Sequence, residues 1–78
     1  MKKTIIYTTS SCVYCKMAKA FFKEHNVVYE EKDVSQNAAA RDEMMSKSNQ
    51  MAVPVIEIDG ELVIGFDKPR LSQLLNIK

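Results

Sequence analysis

The sequence predicts an α/β domain with a mixed four-stranded sheet and helices on both faces. Short runs rich in Ile, Val and Tyr alternate with longer runs of helical periodicity, which gives the order β-α-β-α-β-β-α. Asp59-Gly60, between the last two apolar runs, is typical of a two-residue hairpin turn. A strand–helix–strand unit makes a parallel, right-handed pair and a hairpin makes an antiparallel pair, so both kinds of pairing occur in one sheet.

The first half of the chain predicts two strands around one helix. Residues 3–8 are apolar on both faces, as expected for a central strand of a covered sheet. Helical periodicity begins at Cys12 and ends near His25, and Asn26 is a plausible stop. Residues 27–32 predict a second strand, which is more polar and so closer to a sheet edge. The helix side chains expected to face inward are Met17, Ala18, Phe21 and Phe22.

The second half predicts a helix, a hairpin and a last helix. Ser35 or Asn37 can cap a helix that runs to about Ser48. Residues 53–58 and 62–64 predict the two strands of the hairpin. Asp67 then caps the last helix, which has a proline in its first turn. The expected inward side chains of these two helices are Ala40, Met44, Met45, Leu71, Leu74 and Leu75.

Size and charge limit the possible functions. Seventy-eight residues predict a single domain, residues 1–78, which we expect to be monomeric. Eleven Lys and Arg against ten Asp and Glu give a net charge of +1. The basic residues form no cluster of the kind that binds nucleic acids or membranes. Met1-Lys2-Lys3 resembles the start of a signal peptide, but the apolar run behind it is too short. We therefore expect a cytoplasmic protein.

Cys12 and Cys15 form a C-x-x-C pair at the start of the first helix, and they are the only cysteines. Unpaired N–H groups and the helix dipole stabilise a thiolate at a helix N-terminus, so Cys12 is the expected nucleophile. Cys15, one turn deeper, is the expected resolving thiol. A zinc site would need two further ligands, and the sole histidine, His25, should lie about 15 Å along the helix axis from Cys15. We therefore predict redox chemistry and no metal site.

Three segments, residues 7–15, 51–54 and 65–67, resemble the glutaredoxin family of the thioredoxin fold, and the resemblance extends over essentially the whole chain. Its strongest part is the combination of C-x-x-C with Val53-Pro54 about forty residues later, before a strand and a hairpin. The resemblance implies that Pro54 is cis and lies against the dithiol, and that the Val53 backbone pairs with a bound peptide or glutathione.

The resemblance also implies further substrate-binding residues. Tyr14 is a candidate to pack over the substrate. Gly65, Phe66 and Asp67 are candidates to receive the γ-glutamyl end of glutathione at the N-terminus of the last helix. Asp67 is also the expected cap of that helix, so its two roles compete for the same backbone donors.

Four positions depart from the family pattern. Thr9 replaces a Lys and Val13 replaces a Pro, while Ala52 replaces a Thr and Ile64 replaces the first glycine of a Gly-Gly pair. The Lys and a glycine of that pair help to hold glutathione in the family, so we expect glutathione to bind weakly. Such departures also resemble the glutaredoxin-like redoxins that serve ribonucleotide reductase and receive electrons from thioredoxin reductase.

The sequence therefore predicts a thiol–disulfide oxidoreductase that reduces protein or glutathione mixed disulfides through Cys12 and Cys15. We expect no tightly bound cofactor, with glutathione as co-substrate or thioredoxin reductase as the alternative electron donor. A role as electron donor to ribonucleotide reductase stays open within this interpretation. The alternative from another class is an iron–sulfur cluster or metal carrier that uses Cys12 as a ligand. Cys15 argues against the carrier, because a resolving thiol competes for Cys12 by closing the disulfide.

Overall fold

The structure, a computed structural model, describes residues 3–50 and 53–77, and it confirms the predicted order of elements. Met51 and Ala52, the first two residues of the segment 51–54 that resembles the glutaredoxin family, lie outside the described residues. The elements are β1 (Thr4–Thr8), α1 (Val13–Glu24), β2 (Glu30–Asp33), α2 (Ala38–Ser48), β3 (Val55–Ile58), β4 (Glu61–Ile64) and α3 (Lys68–Leu75). None of the helices in the described ranges is long and apolar enough to cross a membrane.

The sheet is mixed, with strand order β2-β1-β3-β4. β1 pairs in parallel with β2 and antiparallel with β3, and β3 pairs antiparallel with β4. All five residues of β1 are buried, as expected for a central strand with both faces covered. The carboxyl end of β1 therefore lies in the middle of the sheet edge, where the chain continues towards α1.

Alternate strand residues point to opposite faces of the sheet and divide the core in two. Ile6 faces α1 and α3, whereas Ile5 and Tyr7 face α2. The first cluster contains Ile6, Ala18, Phe21, Phe22, Ile56, Ile58, Val63 and Leu71. The second contains Ile5, Tyr7, Val34, Ala40, Met44 and Val55. Burial of each large aliphatic or aromatic side chain contributes about 1.5–3 kcal/mol, so these clusters supply most of the stability.

The helices begin and end at residues that suit their caps. Asn37, rather than Ser35, caps α2 by accepting the Ala40 N–H at 3.1 Å, and Asp67 caps α3. The chain takes a left-handed conformation at an asparagine just after each helix, and all three residues have φ of 58°. These residues are Asn26, Asn49 and Asn76. Asparagine tolerates this region, so each of them stops its helix at low steric cost.

The second and third strands begin later in the chain than predicted. β2 begins at Glu30 rather than at residue 27, because the Val27 N–H bonds to the Phe22 carbonyl at 2.8 Å and completes the end of α1. β3 begins at Val55 rather than at residue 53, directly after Pro54, which has no N–H to donate.

The predicted inward positions of Met17 and Met45 were wrong, since these side chains are 45% and 41% exposed. In α1 the buried side chains are those of Cys15, Ala18, Phe21 and Phe22, and Met17 lies outside this buried face. In α2 only Ala40 and Met44, one turn apart, are buried, so Met45 points to solvent. The apolar stripe of each helix is narrower than the sequence suggested.

A network of charged side chains fixes α2 to the sheet. The buried Tyr7 hydroxyl donates to the Glu43 carboxylate, and Lys32 Nζ lies 2.7 Å from the same Glu43 oxygen. Lys47 Nζ donates to Tyr7 Oη at 3.2 Å and lies 2.6 Å from Glu57 Oε1. Hydrogen bonds from Lys32 and Tyr7 lower the pKa of Glu43 to about 2. The network joins α2 to β1, β2 and β3, and so supplements the two buried side chains of the helix.

Glu43→Gln should lower the free energy of unfolding by about 1 kcal/mol at neutral pH, a value that allows for solvent screening of this half-exposed carboxylate. Because the pKa of Glu43 is lowered in the folded state, its stabilisation is present above the unfolded value of about 4.3 and is lost towards pH 2. The difference between variant and wild type should therefore shrink as the pH falls through this window. Urea unfolding at several pH values measures it. Glu24→Gln, at an exposed position of α1, is the control, and a difference independent of pH would contradict the prediction.

The hairpin turn between β3 and β4 gives a second test. Asp59 and Gly60 have φ of 51° and 87°, the left-handed pair of the predicted turn. Gly60→Ala should lower the free energy of unfolding by about 1 kcal/mol, because a Cβ strains this conformation even where space is open. Asp59→Asn should have little effect, since asparagine tolerates the same region. Thermal unfolding measures both, and equal losses would mean that backbone strain is not the cause.

Candidate active site

Cys12 caps α1 in the loop that follows β1. Its backbone is extended, and its Sγ accepts the Cys15 N–H at 3.1 Å, while its carbonyl accepts the Lys16 N–H at 3.2 Å. The side chain is half-buried, and both cysteines are free thiols. The sulfur thus occupies the position of a cap oxygen, where the backbone N–H groups and the helix dipole favour a negative charge.

Cys15 lies in the first turn of α1 and is fully buried. Burial, followed by the hydrogen bond with Cys12, raises the pKa of the Cys15 thiol, while hydrogen bonds from the Thr8 hydroxyl and the Thr9 backbone oppose that rise. The two sulfurs therefore differ in accessibility and in environment. One is open to a substrate at a helix N-terminus, and the other is a buried thiol that reaches only its neighbour.

Thr8 is a residue at this site that the sequence interpretation missed. It ends β1, is 1% exposed, and places its hydroxyl beside Cys15. The Thr9 carbonyl lies 3.3 Å from the same hydroxyl oxygen and competes with Cys15 for its single proton. A polar residue at the end of a fully buried strand, four residues before the first cysteine, was the available signal.

The Val53–Pro54 peptide bond is cis, and the segment lies against the dithiol. The Val53 carbonyl oxygen is 3.9 Å from Cys12 Sγ, and Pro54 is fully buried. The Pro54 carbonyl accepts the Gly65 N–H at 2.8 Å, which holds the start of the α3 loop against this segment. One backbone carbonyl therefore lies next to the more exposed sulfur of the pair.

The residues between the two cysteines form an exposed apolar rim. Val13 and Tyr14 are 66% and 62% exposed, although they belong to the first turn of α1. Ile64, at the end of β4, is 42% exposed. Exposed aromatic and apolar side chains beside a nucleophile are surfaces on which a substrate can pack.

The segment Gly65–Asp67 is only partly available to a ligand. The Gly65 N–H is bonded to Pro54, and the Phe66 ring packs edge-on against Phe21 with centroids 5.9 Å apart. The Asp67 carboxylate accepts the Arg70 N–H at 3.2 Å, so its capping role is present. Thr9, the position of the usual lysine, is half-buried, and its carbonyl accepts the Cys12 N–H at 3.4 Å.

The metal or cluster interpretation concerns the placement of the side chains that can act as ligands. No group of three or more His, Cys, Asp or Glu side chains in residues 3–50 and 53–77 is placed to hold a metal ion. His25 follows the other end of α1, where its ring lies 4.7 Å from the Phe21 ring. The arrangement around Cys12 and Cys15 instead suits thiol–disulfide exchange, which needs an accessible thiolate and a second thiol within reach.

Comparison with known proteins gives a consistent result. The Glutaredoxin family model matches residues 4–63. An uncharacterized glutaredoxin-like 8.6 kDa protein in the rubredoxin operon of Clostridium pasteurianum is 39% identical over 70 residues, which cover 90% of this chain and 93% of that protein. Glutaredoxin 3 of Escherichia coli strain K12 is 39% identical over 67 residues, covering 86% of this chain and 81% of that protein.

A solved structure extends the comparison to the whole chain. The T8A mutant of the thioredoxin-like protein BC3987 is 44% identical and superimposes with a TM-score of 0.93, over 100% of both chains. The family match covers most of the chain, and the relatives align over most of their own length. The chain therefore belongs to the glutaredoxin family and is a glutaredoxin-like disulfide oxidoreductase with the thioredoxin fold.

Proposed function

We propose that this protein reduces protein disulfides and glutathione mixed disulfides, with Cys12 as nucleophile and Cys15 as resolving thiol. The observation that carries the proposal is the contrast between the two sulfurs. Cys12 Sγ is half-exposed and accepts a backbone N–H at 3.1 Å, whereas Cys15 is fully buried one turn deeper. A buried thiol next to the nucleophile also favours disulfide closure over the use of Cys12 as a cluster ligand.

The proposed reaction has two exchange steps. The Cys12 thiolate attacks one sulfur of the substrate disulfide, the substrate S–S bond breaks, and the leaving thiolate takes a proton from solvent. Cys15 then loses its proton and attacks Cys12 Sγ, which releases the second substrate sulfur as a thiol. Two electrons pass to the substrate, and the protein is left with a Cys12–Cys15 disulfide that an electron donor must reduce.

The Val53 backbone supports recognition of an extended substrate. Its carbonyl lies 3.9 Å from Cys12 Sγ, so a peptide paired with this segment in strand fashion brings its own disulfide to the nucleophile. Tyr14 and Val13 provide an apolar surface on the other side of Cys12. These features favour protein disulfides with an extended backbone around the cysteine.

The choice of electron donor depends on the residues of the site that differ from the family pattern. Glutathione is a co-substrate in this proposal, but a weak one, because Thr9 carries no cation and the Gly65 N–H is already bonded to Pro54. Thioredoxin reductase is the alternative donor. Turnover with the glutathione system and turnover with thioredoxin reductase compare the two.

We also propose a cytoplasmic location and a monomer. The near-zero net charge and the use of the only two cysteines as one redox pair are in line with this proposal.

The roles of the two cysteines are tested by serine variants. Cys12→Ser should abolish disulfide reduction, because the buried Cys15 cannot reach a substrate. Cys15→Ser should still attack and should retain the substrate as a stable mixed disulfide on Cys12. Mass spectrometry after treatment with oxidised glutathione measures the trapped adduct. The assignment would be wrong if Cys15 in the Cys12→Ser variant is labelled as fast as Cys12 in the Cys15→Ser variant.

Thr9→Lys should lower the KM for glutathione several-fold to about tenfold, because a charge-assisted hydrogen bond to a glutathione carboxylate becomes available at the position of the usual lysine. Steady-state turnover with glutathione and glutathione reductase measures the KM. Ser10→Lys adds the same charge one residue away at an exposed position and is the matched control. An equal decrease of the KM in both variants would show a general charge effect. An unchanged KM in Thr9→Lys would show that position 9 does not contact bound glutathione.

A further inference from the structure

The resolving step requires a thiolate at a buried position. Burial is the main cause that raises the pKa of Cys15, and the hydrogen bond and charge of Cys12 add to it in the free dithiol. In the mixed disulfide Cys12 is bonded to the substrate sulfur and carries no charge. Of the effects that raise the pKa of Cys15, burial is then the one that remains. A cation close to Cys15 would therefore act on the second step in particular.

Lys19 is placed to supply that charge. Positions 15 and 19 are one turn apart on the same face of α1, where Cβ atoms of such pairs are about 5–6 Å apart. Lys19 Nζ is held 2.8 Å from Glu31 Oε2 on β2, and its side chain is only 24% exposed. The ion pair thus holds the ammonium on the helix face that it shares with Cys15 and keeps it from extending into solvent. Glu31 is the main cause that raises the pKa of Lys19, and the charge of Cys15 adds to it.

We propose that Lys19 is the electrostatic partner of the Cys15 thiolate during the resolving step, and that Glu31 limits its strength. This inference rests on the proposed roles of Cys12 and Cys15. Glu31 both orients the ammonium and cancels part of its charge, so the two side chains should act on Cys15 with opposite sign. The other groups whose charge or hydrogen bonding acts on Cys15 or Lys19 are Thr8, Thr9, Cys12, Tyr29 and Asp33.

The step that Lys19 would assist is balanced within the reaction already described. The Cys15 thiol gives its proton to solvent, and the thiolate forms a bond to Cys12 Sγ. The bond between Cys12 and the substrate sulfur breaks, and that sulfur leaves with the electron pair and takes up a proton. Lys19 stays protonated throughout and makes no bond, so its contribution is to lower the cost of the negative charge on Cys15.

Dithiodipyridine, an uncharged disulfide, separates the two steps in a stopped-flow experiment. The first pyridinethione is released when Cys12 attacks and the second when Cys15 resolves. Lys19→Met should slow the second release about three- to tenfold at neutral pH and raise the pH midpoint of its rate. Glu31→Gln should speed the second release and lower that midpoint. The first release should change little in either variant.

Matched variants separate charge from structure. Lys19→Arg keeps the charge and should retain most of the second-step rate. Lys23→Met removes an equal charge at an exposed position, about 12 Å along the helix axis from Cys15, and should leave both steps unchanged. If the ion pair only fixes α1 to β2, Lys19→Met and Glu31→Gln should impair the protein in the same direction, with no shift of the midpoint.

The possible outcomes are distinct. Slowing in both Lys19→Met and Glu31→Gln, an equal effect of Lys23→Met, or an unshifted midpoint would overturn the role of Lys19. Failure of the proposed function has a different signature, because Cys15→Ser would then still show the second release or Cys12→Ser would keep the first. Unfolding curves of each variant confirm that the rates are compared between folded proteins.

Discussion

The site depends on one constraint, the placement of the open N-terminus of α1 at the carboxyl end of the central strand. β1 is buried along its whole length, so its end is fixed by pairing with β2 and β3 and by packing on both faces. The short loop that follows brings Cys12 to the cap position, where its sulfur takes the Cys15 N–H. A sulfur away from a helix N-terminus would lack both the backbone donors and the dipole that favour a thiolate.

The same constraint makes the two thiols unequal. Cys12 at the cap is half-exposed, whereas Cys15, in the first turn of a helix whose inner face packs on the sheet, is fully buried. Its burial raises the pKa of the thiol, and the Thr8 hydroxyl at the end of β1 partly compensates. The position of the two thiols in α1 therefore underlies the different roles that we propose for them.

Much of this could be predicted from the sequence, because the strongest signals are local. The element order followed from apolar runs and from Asp59-Gly60, and the dithiol followed from its spacing. The errors arose where local patterns conflict with packing. Met17 and Met45 are apolar but lie outside the narrow inward arc of their helices, and Val27 looks like a strand residue but completes the end of α1.

The interactions that periodicity could not reveal join residues distant in the chain. Thr8 contacts Cys15 because the end of one element is next to the start of another, and Tyr7 meets Glu43 and Lys47 across the face of the sheet. A pattern of hydrophobic periodicity carries no information on such pairs. They determine how α2 is held and how the resolving thiol is tuned, so the sequence predicted the architecture better than the electrostatics.

The departures from the family pattern at Thr9, Val13 and Ile64 change side chains and not the backbone groups around Cys12. The hydrogen bond that Cys12 Sγ accepts comes from the backbone N–H of Cys15, and substitution of the side chains at Thr9, Val13 or Ile64 does not remove this donor. The Val53 carbonyl beside Cys12 is likewise a backbone group. Side chains, in contrast, supply the charge and the shape that select a particular thiol. A scaffold of this kind can keep its dithiol while its preferred electron donor and substrates change, because the backbone groups around Cys12 and the side chains that differ from the family pattern belong to different residues.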